Sequence, residues 1–320
     1  MGVRTVMITG DSAATAAAVA RKVGIPDSVC PPEELPEELS GEQFGVFARI
    51  LPEQKFRLVK AFQRHGHIVG MCGDGANDAP ALRQAQIGIA VSSATDVAKV
   101  AAALVLTEPG LGGILSAIRE GRIAFQRLLT YTFNMLVKKI EIVLFLAVGL
   151  GMTGHAVMTP VLMVLILVTN DFLSMSLTTD RTSPAPSPSV WQMPRITAAA
   201  ILLAGCKLSF STAILAVGVF ALRLDAAKLQ TLAFITLAFG NQAVLYAVRE
   251  RHHMWASWPS LLVLASSAVD IGIVTVLAAA GLLMEALPWQ LLLVVLAAAA
   301  AFCLVLDRVK MPVLTALKLR

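Results

Sequence analysis

The amino-acid sequence predicts an α/β domain built on a parallel sheet, followed by an all-helical bundle of six membrane spans. Up to about Tyr131, short apolar runs alternate with helical stretches, which argues for parallel strands covered by helices on both faces. Beyond Tyr131 the chain is mostly apolar runs of roughly 20 residues, the length that crosses a bilayer as helix. Composition agrees with this division. Of 320 residues, 57% are hydrophobic and 15% charged, with a mean hydropathy of +0.74. Soluble domains are about 45–50% apolar and about a quarter charged.

The net charge of +5 does not point to nucleic acid, because the Lys and Arg residues flank apolar runs, where they orient a chain in a membrane. Cys30, Cys72, Cys206 and Cys303 are widely separated, without a C-x-x-C spacing, so neither a disulfide framework nor a zinc site is expected. Residues 1–10 carry neither a charged n-region nor a long apolar run, and no signal peptide is expected there.

In order, the first strand is expected over Arg4–Thr9, running into Thr9-Gly10-Asp11. A helix capped by Asp11 or Ser12 continues to Val23 and stops at Gly24. A strand, a polar turn and a helix N-terminus together make an anion site, because the first-turn amides lack intrahelical partners. Pro31 to Glu42 reads as a surface loop and Phe47–Ile50 as a short strand. Pro52 opens a helix to His65, with Lys55 in its first turn, where a cation works against the helix dipole. Ile68–Cys72 is a buried strand. It leads into Gly73-Asp74-Gly75-Ala76-Asn77-Asp78-Ala79-Pro80, where two glycines allow a close backbone approach. Two carboxylates and an amide at a strand's carboxyl end suit a hard ion such as Mg2+ shared with a phosphate. A helix over Ala81–Gln86, a strand over Ile87–Val91, a helix over Thr95–Ala103 and a strand over Leu104–Leu106 complete the domain. Gly110 and Gly113 precede a basic helix, Ile114–Tyr131, read as a stalk that continues into the membrane.

The spans are expected over Phe133–Thr153, Val157–Leu177, Ile196–Leu222, Leu229–Val248, Pro259–Leu283 and Trp289–Leu306. The distribution of basic residues puts both termini in the cytoplasm, and Trp191, Trp255, Trp258 and Trp289 fall at span ends. Ionisable groups at bilayer depth are costly and mark function by default. Lys138 and Glu141, three apart, share a helical face and can pair. Asp171 lies mid-span beside Asn170, where desolvation would favour its protonated form and fit it to carry a proton. Lys207 is expected to snorkel towards an interface, and Asp270 is weighed equally as a functional acid or a structural hydrogen-bond acceptor.

Four stretches resemble the P-type ATPases, cation pumps that pass through an aspartyl-phosphate. Gly73–Pro80 resembles their hinge motif, Thr9-Gly10-Asp11 their Thr-Gly-Asp element, and Pro52-Glu53-Gln54-Lys55 their Pro-x-x-Lys. Asn170 to Arg181, with Ser183-Pro184 to Trp191, resembles the sixth membrane helix and following loop of plasma-membrane proton pumps. The resemblance implies a haloacid-dehalogenase-like (Rossmann-type) partial domain over 1–112, a stalk over 113–132, six spans over 133–306 and a cytoplasmic tail over 307–320. It implies catalytic roles for Thr9, Gly10, Asp11, Lys55 and Asn77, Mg2+ held by Asp74 and Asp78, and ATP as substrate. It also implies ion transport through Asp171 with Asn170, Glu141 and Lys138, in the plasma (inner) membrane.

The proton pumps place an arginine on the fifth helix. Here that position holds Glu141, with Lys138 and Lys139 nearby, and a second acid also suits Mg2+ or Ca2+. The spans contain no Cys-Pro-Cys, which disfavours copper and zinc pumps. No aspartate is followed by Lys-Thr-Gly, so the nucleophile is expected on a missing amino-terminal half, and this chain alone is expected to be inactive. A membrane-tethered phosphatase of the same fold would need an Asp-x-Asp pair after its first strand, which the sequence lacks. A non-catalytic membrane subunit is the remaining alternative.

Overall fold

The computed structural model describes residues 2–31 and 43–317. The expected surface loop therefore lies almost wholly outside the described residues, as does the end of the tail. The chain divides into two compact units, Met1–Glu120 with Pro186–Pro188, and Gly121–Ala185 with Ser189–Arg320.

In the first unit, β1 (Met7–Ile8) leads into α1 (Ala13–Lys22), whose N-cap Ser12 accepts from the Thr15 amide. Gly24, at φ +76°, takes the left-handed conformation that follows the helix end. β2 (Val46–Phe47) pairs parallel with β1, and α2 (Pro52–Arg64) follows with proline in its first turn. Then come β3 (Gly70–Gly73), a 3-10 turn over Ala76–Asp78, α3 (Ala79–Gln84), β4 (Ile87–Ala90), α4 (Asp96–Ala101) and β5 (Leu104–Val105). The expected alternation is present, but the strands form two parallel sheets, β1-β2 and β3-β4-β5, rather than one. Strands of two residues supply too few ladder bonds to join the sheets. Apolar packing links them instead, because Ile8 of β1 touches the cores around both Phe47 and Met71. Gly88 on β4 has no room for a Cβ, which would strike the Leu82 carbonyl, so α3 rests directly on the strand backbone.

The stalk, read as continuing into the first span, does so in one uninterrupted helix, α5 (Gly112–Thr153). α6 (Pro160–Ser176), α7 (Met193–Ala216, continued by a π turn over Val217–Ala221), α8 (Ala226–Val248), α9 (Leu261–Ala280) and α10 (Trp289–Ala316) follow. Among the described residues, α6 to α10 are the five helices long and apolar enough to cross a membrane. The apolar end of α5 contains Lys138, Lys139 and Glu141, so length and composition do not qualify it as the sixth.

α8 is the axis of the second unit. Its most apolar stretch is 94% buried, against 28–33% for the other four. The surrounding helices expose large apolar side chains such as Val164, Val168 and Phe172 on α6, and Val269, Ile273 and Val276 on α9. Such surfaces suit lipid, where a helix satisfies its own backbone groups.

Candidate functional site

In the first unit, the chemistry-bearing residues sit on loops at the carboxyl ends of parallel strands, where ligands of open α/β sheets bind. After β1, Thr9 Oγ1 donates to Asp11 Oδ2 at 2.9 Å, and the Asp11 amide donates back to Thr9 Oγ1 at 3.1 Å. The Arg49 amide fixes the Asp11 carbonyl at 2.9 Å, so Thr9-Gly10-Asp11 is a closed, exposed turn ahead of α1.

After β3, the carboxylate of Asp78 is the centre of the loop. Its Oδ1 accepts from Lys55 Nζ at 2.6 Å, and its Oδ2 accepts from the Asp74 and Gly75 amides at 3.3 and 3.4 Å. A Cβ on Gly73 would collide with that carboxylate, which explains the glycine. Asp78 is buried, whereas Asp74 and Asn77 are exposed. This revises the expectation of two equivalent metal ligands: Asp78 is committed to Lys55 and to the loop amides, and Asp74 presents the free carboxylate. No group of three or more His, Cys, Asp or Glu side chains converges among the described residues. One exposed carboxylate still fits Mg2+, which keeps several waters and is bound through one or two carboxylates plus substrate phosphate. Burial pushes the neighbouring Cys72 thiol up, and the charges of Asp74 and Asp78 push it further in the same direction.

The second unit holds a polar cluster between α5, α6, α7 and α8. Glu141, 1% exposed, accepts from Lys207 Nζ at 3.0 Å and from Ser211 Oγ at 2.8 Å. Lys207, fully buried, also donates a short hydrogen bond to Asn241 Oδ1. Lys138 donates to Asn170 Oδ1 at 3.2 Å and Ser174 Oγ at 3.1 Å. Beside them lies a cavity of about 220 Å3, lined by Lys138, Lys139, Glu141, Asn170, Asp171 and Asn241 among others. Further along α8, Gln242 donates to Asp270 Oδ2 at 2.5 Å and accepts from Ser267.

Three expectations change here. Lys207 does not snorkel, because its ammonium ends on a buried carboxylate. Lys138 does not pair with Glu141, since its donors go to α6. Asp171 is exposed rather than buried, and the carboxylates buried on α5 to α10 are Glu141, Asp270 and Asp307. Sequence reasoning passed over Ser174 and Ser211. Each stands four residues after a polar neighbour, Asn170 and Lys207, on an otherwise apolar helix, and that spacing was the available signal.

Residues 1–86 match the family of haloacid dehalogenase-like hydrolases. The α/β unit is a haloacid dehalogenase-like domain. Over 334 aligned residues the chain is 34% identical to a protein of Methanocaldococcus jannaschii named as a cation-transporting ATPase. The match takes in all of this chain and 41% of that protein's length. The chain thus joins a haloacid dehalogenase-like domain to a membrane-type helical bundle, and its similarity to the protein so named runs through both.

Proposed function

We propose that the chain is the carboxyl-terminal portion of a P-type ATPase that couples ATP hydrolysis, through an aspartyl-phosphate, to cation export, with H+ as the ion. The observation that carries the pump reading is the clasp of Lys55 by Asp78 beside the exposed Asp74, on a glycine loop at the end of β3. In this reading Asp74 holds Mg2+, which when bound neutralises charge on a phosphoryl oxygen. Asp78 aims the Lys55 ammonium at the phosphoryl group, while the closed turn Thr9-Gly10-Asp11 leads into α1, whose first-turn amides suit a phosphoryl oxygen. Asn77, on the same exposed turn, adds an amide donor. The nucleophilic aspartate belongs to the amino-terminal half, the expected partner.

The proton reading rests on which oxygens remain free. Ca2+ takes about 6–8 oxygens and Mg2+ a near-octahedral set. Both Glu141 oxygens, Asn170 Oδ1 and Asn241 Oδ1 already accept hydrogen bonds, three of the four from ammonium groups. Of the two carboxylates lining the cavity, Glu141 and Asp171, Asp171 is the one left to take a proton. Lys138 lies on the same wall, held by Asn170 and Ser174. The lipid bilayer is the partner of the exposed apolar faces, and the plasma membrane with both termini cytoplasmic is the setting.

In the completed pump, Asp74→Asn should abolish Mg2+-dependent turnover. Asp171→Asn should leave phosphoenzyme formation intact and stop vesicle acidification. The deciding assay follows ATP hydrolysis and a lumenal pH probe in medium chelated of divalent ions other than Mg2+. Vigorous turnover without a pH gradient would refute H+ as the ion. An acid-stable phosphoenzyme on the 320-residue chain alone would refute the division of labour between the halves.

A further inference from the structure

Glu141 has a cation of its own. The carboxylate lies on α5, Lys207 and Ser211 one turn apart on α7, and Asn241 on α8, all 3% exposed or less. Lys207 Nζ is held by Glu141 Oε2 and Asn241 Oδ1, while Ser211 Oγ turns the second carboxylate oxygen into place. The stem of Lys207 passes beside Gly240 of α8. A Cβ on Gly240 would stand 3.2 Å from Lys207 Cε. Lys138, by contrast, donates to neutral oxygens at the wall of the open cavity.

A buried carboxylate and an amide oxygen from two helices, the carboxylate oriented by a hydroxyl from a third, suit a desolvated monovalent cation as they suit an ammonium group. We propose that Glu141 and Asn241, with Ser211 orienting the carboxylate, form a monovalent-cation site that the chain fills permanently with the Lys207 ammonium. The site rests on the geometry alone; its consequence for transport, that Glu141 is withdrawn from carrying the ion, rests on the pump reading above. Lys207 then works as a positioning residue. It ties α5 to α7 and α8 and leaves the cavity at Asp171 as the place for exchangeable ions.

The test uses the full chain, purified in lipid nanodiscs, with Lys207→Ala. Removing one partner of a buried pair leaves an uncompensated charge, so the variant should melt at a lower temperature than the parent. Ammonium or potassium chloride should then restore its melting temperature saturably, with a half-point at least tenfold below any response to tetramethylammonium, which is too large for the site. The parent and the doubly neutral Glu141→Gln/Lys207→Met variant should show no such selectivity. An equal response to all three salts, or none, would overturn the site. Should Lys207→Ala not be recovered, Lys207→Ser vacates the same space and takes its place. Failure of both to fold in ammonium or potassium also counts against the proposal. Because the readout is ion binding rather than turnover, this result and the phosphoenzyme result can fail independently.

Discussion

Asp78 and Asp74 are the same residue type four positions apart, and their environments give them opposite duties. Asp78 is wrapped by Lys55 and two amides, so it braces the loop, while Asp74 faces outward with its charge unspent. Cys72, exposed one residue before Gly73, reports on that charge. Its thiol stands above its ordinary value, first from burial and then from Asp74 and Asp78. Less of it is therefore thiolate at a given pH, and the thiolate is the reacting form. With Cys30, Cys206 and Cys303 replaced by serine, the pH profile of Cys72 alkylation should lie to the alkaline side of a free thiol. Asp74→Asn should shift it back and speed labelling severalfold near pH 8, and Mg2+ should do the same in the parent but not in Asp74→Asn. A profile indifferent to both would remove Asp74 as the cation's holder. The motif of glycines and acids was readable in the sequence. The division of labour was not, because it depends on Lys55, 23 residues away, reaching one acid and not the other.

Lys310 of α10 shows how one element finishes another. The last carbonyls of any helix lack intrahelical donors. Here Lys310 Nζ reaches the carbonyls of Ala247, Glu250 and His252 at 2.7, 3.0 and 2.6 Å, at and beyond the end of α8, and pairs with Asp307 at 2.8 Å. Asp307 in turn accepts from the Met254 amide at 2.9 Å and lies 2.7 Å from His253 Nδ1. The α8–α9 loop is thereby tied to α10. Lys310→Met would leave buried carbonyls and a buried carboxylate without their cation, at a cost of about 3–5 kcal/mol. Hydrogen exchange at the amides of residues 249–257 should accelerate markedly. Asp307→Asn/Lys310→Met should be milder than the single change, because no charge is stranded. Unchanged exchange in the single variant would disprove the tie. Helix positions were legible from run length and start signals, among them the cap Ser12 and the first-turn Pro52. The tie was not, since Asp307 and Lys310 on their own look like an ordinary i, i+3 surface pair.

For the whole molecule, α8 decides the architecture. Its hydropathy, 1.5, is the lowest of the five apolar helices, and its burial is the highest. Sequence reasoning gave all spans equal standing because apolarity measures fitness for lipid, and a helix walled in by other helices is released from that demand. Thr236, Asn241 and Gln242 are tolerated on α8 because α7 and α9 supply Lys207 and Ser267, or because the helix's own backbone accepts the hydroxyl. A chain ending at Trp258, before α9, should accumulate poorly in membranes and be cleaved faster by protease than the full chain. Equal accumulation and resistance would show that α8 does not need its later neighbours. Viewed as an event in time, the burial of α8 sets a schedule. The ribosome delivers this helix before α9 and α10 exist, so during synthesis Asn241 already has Lys207 of α7, while Gln242 waits for Ser267 and Asp270 of α9. The two most apolar helices, at 2.2 and 2.5, arrive last and shut the wall, so the interior of this bundle is sealed by its final quarter.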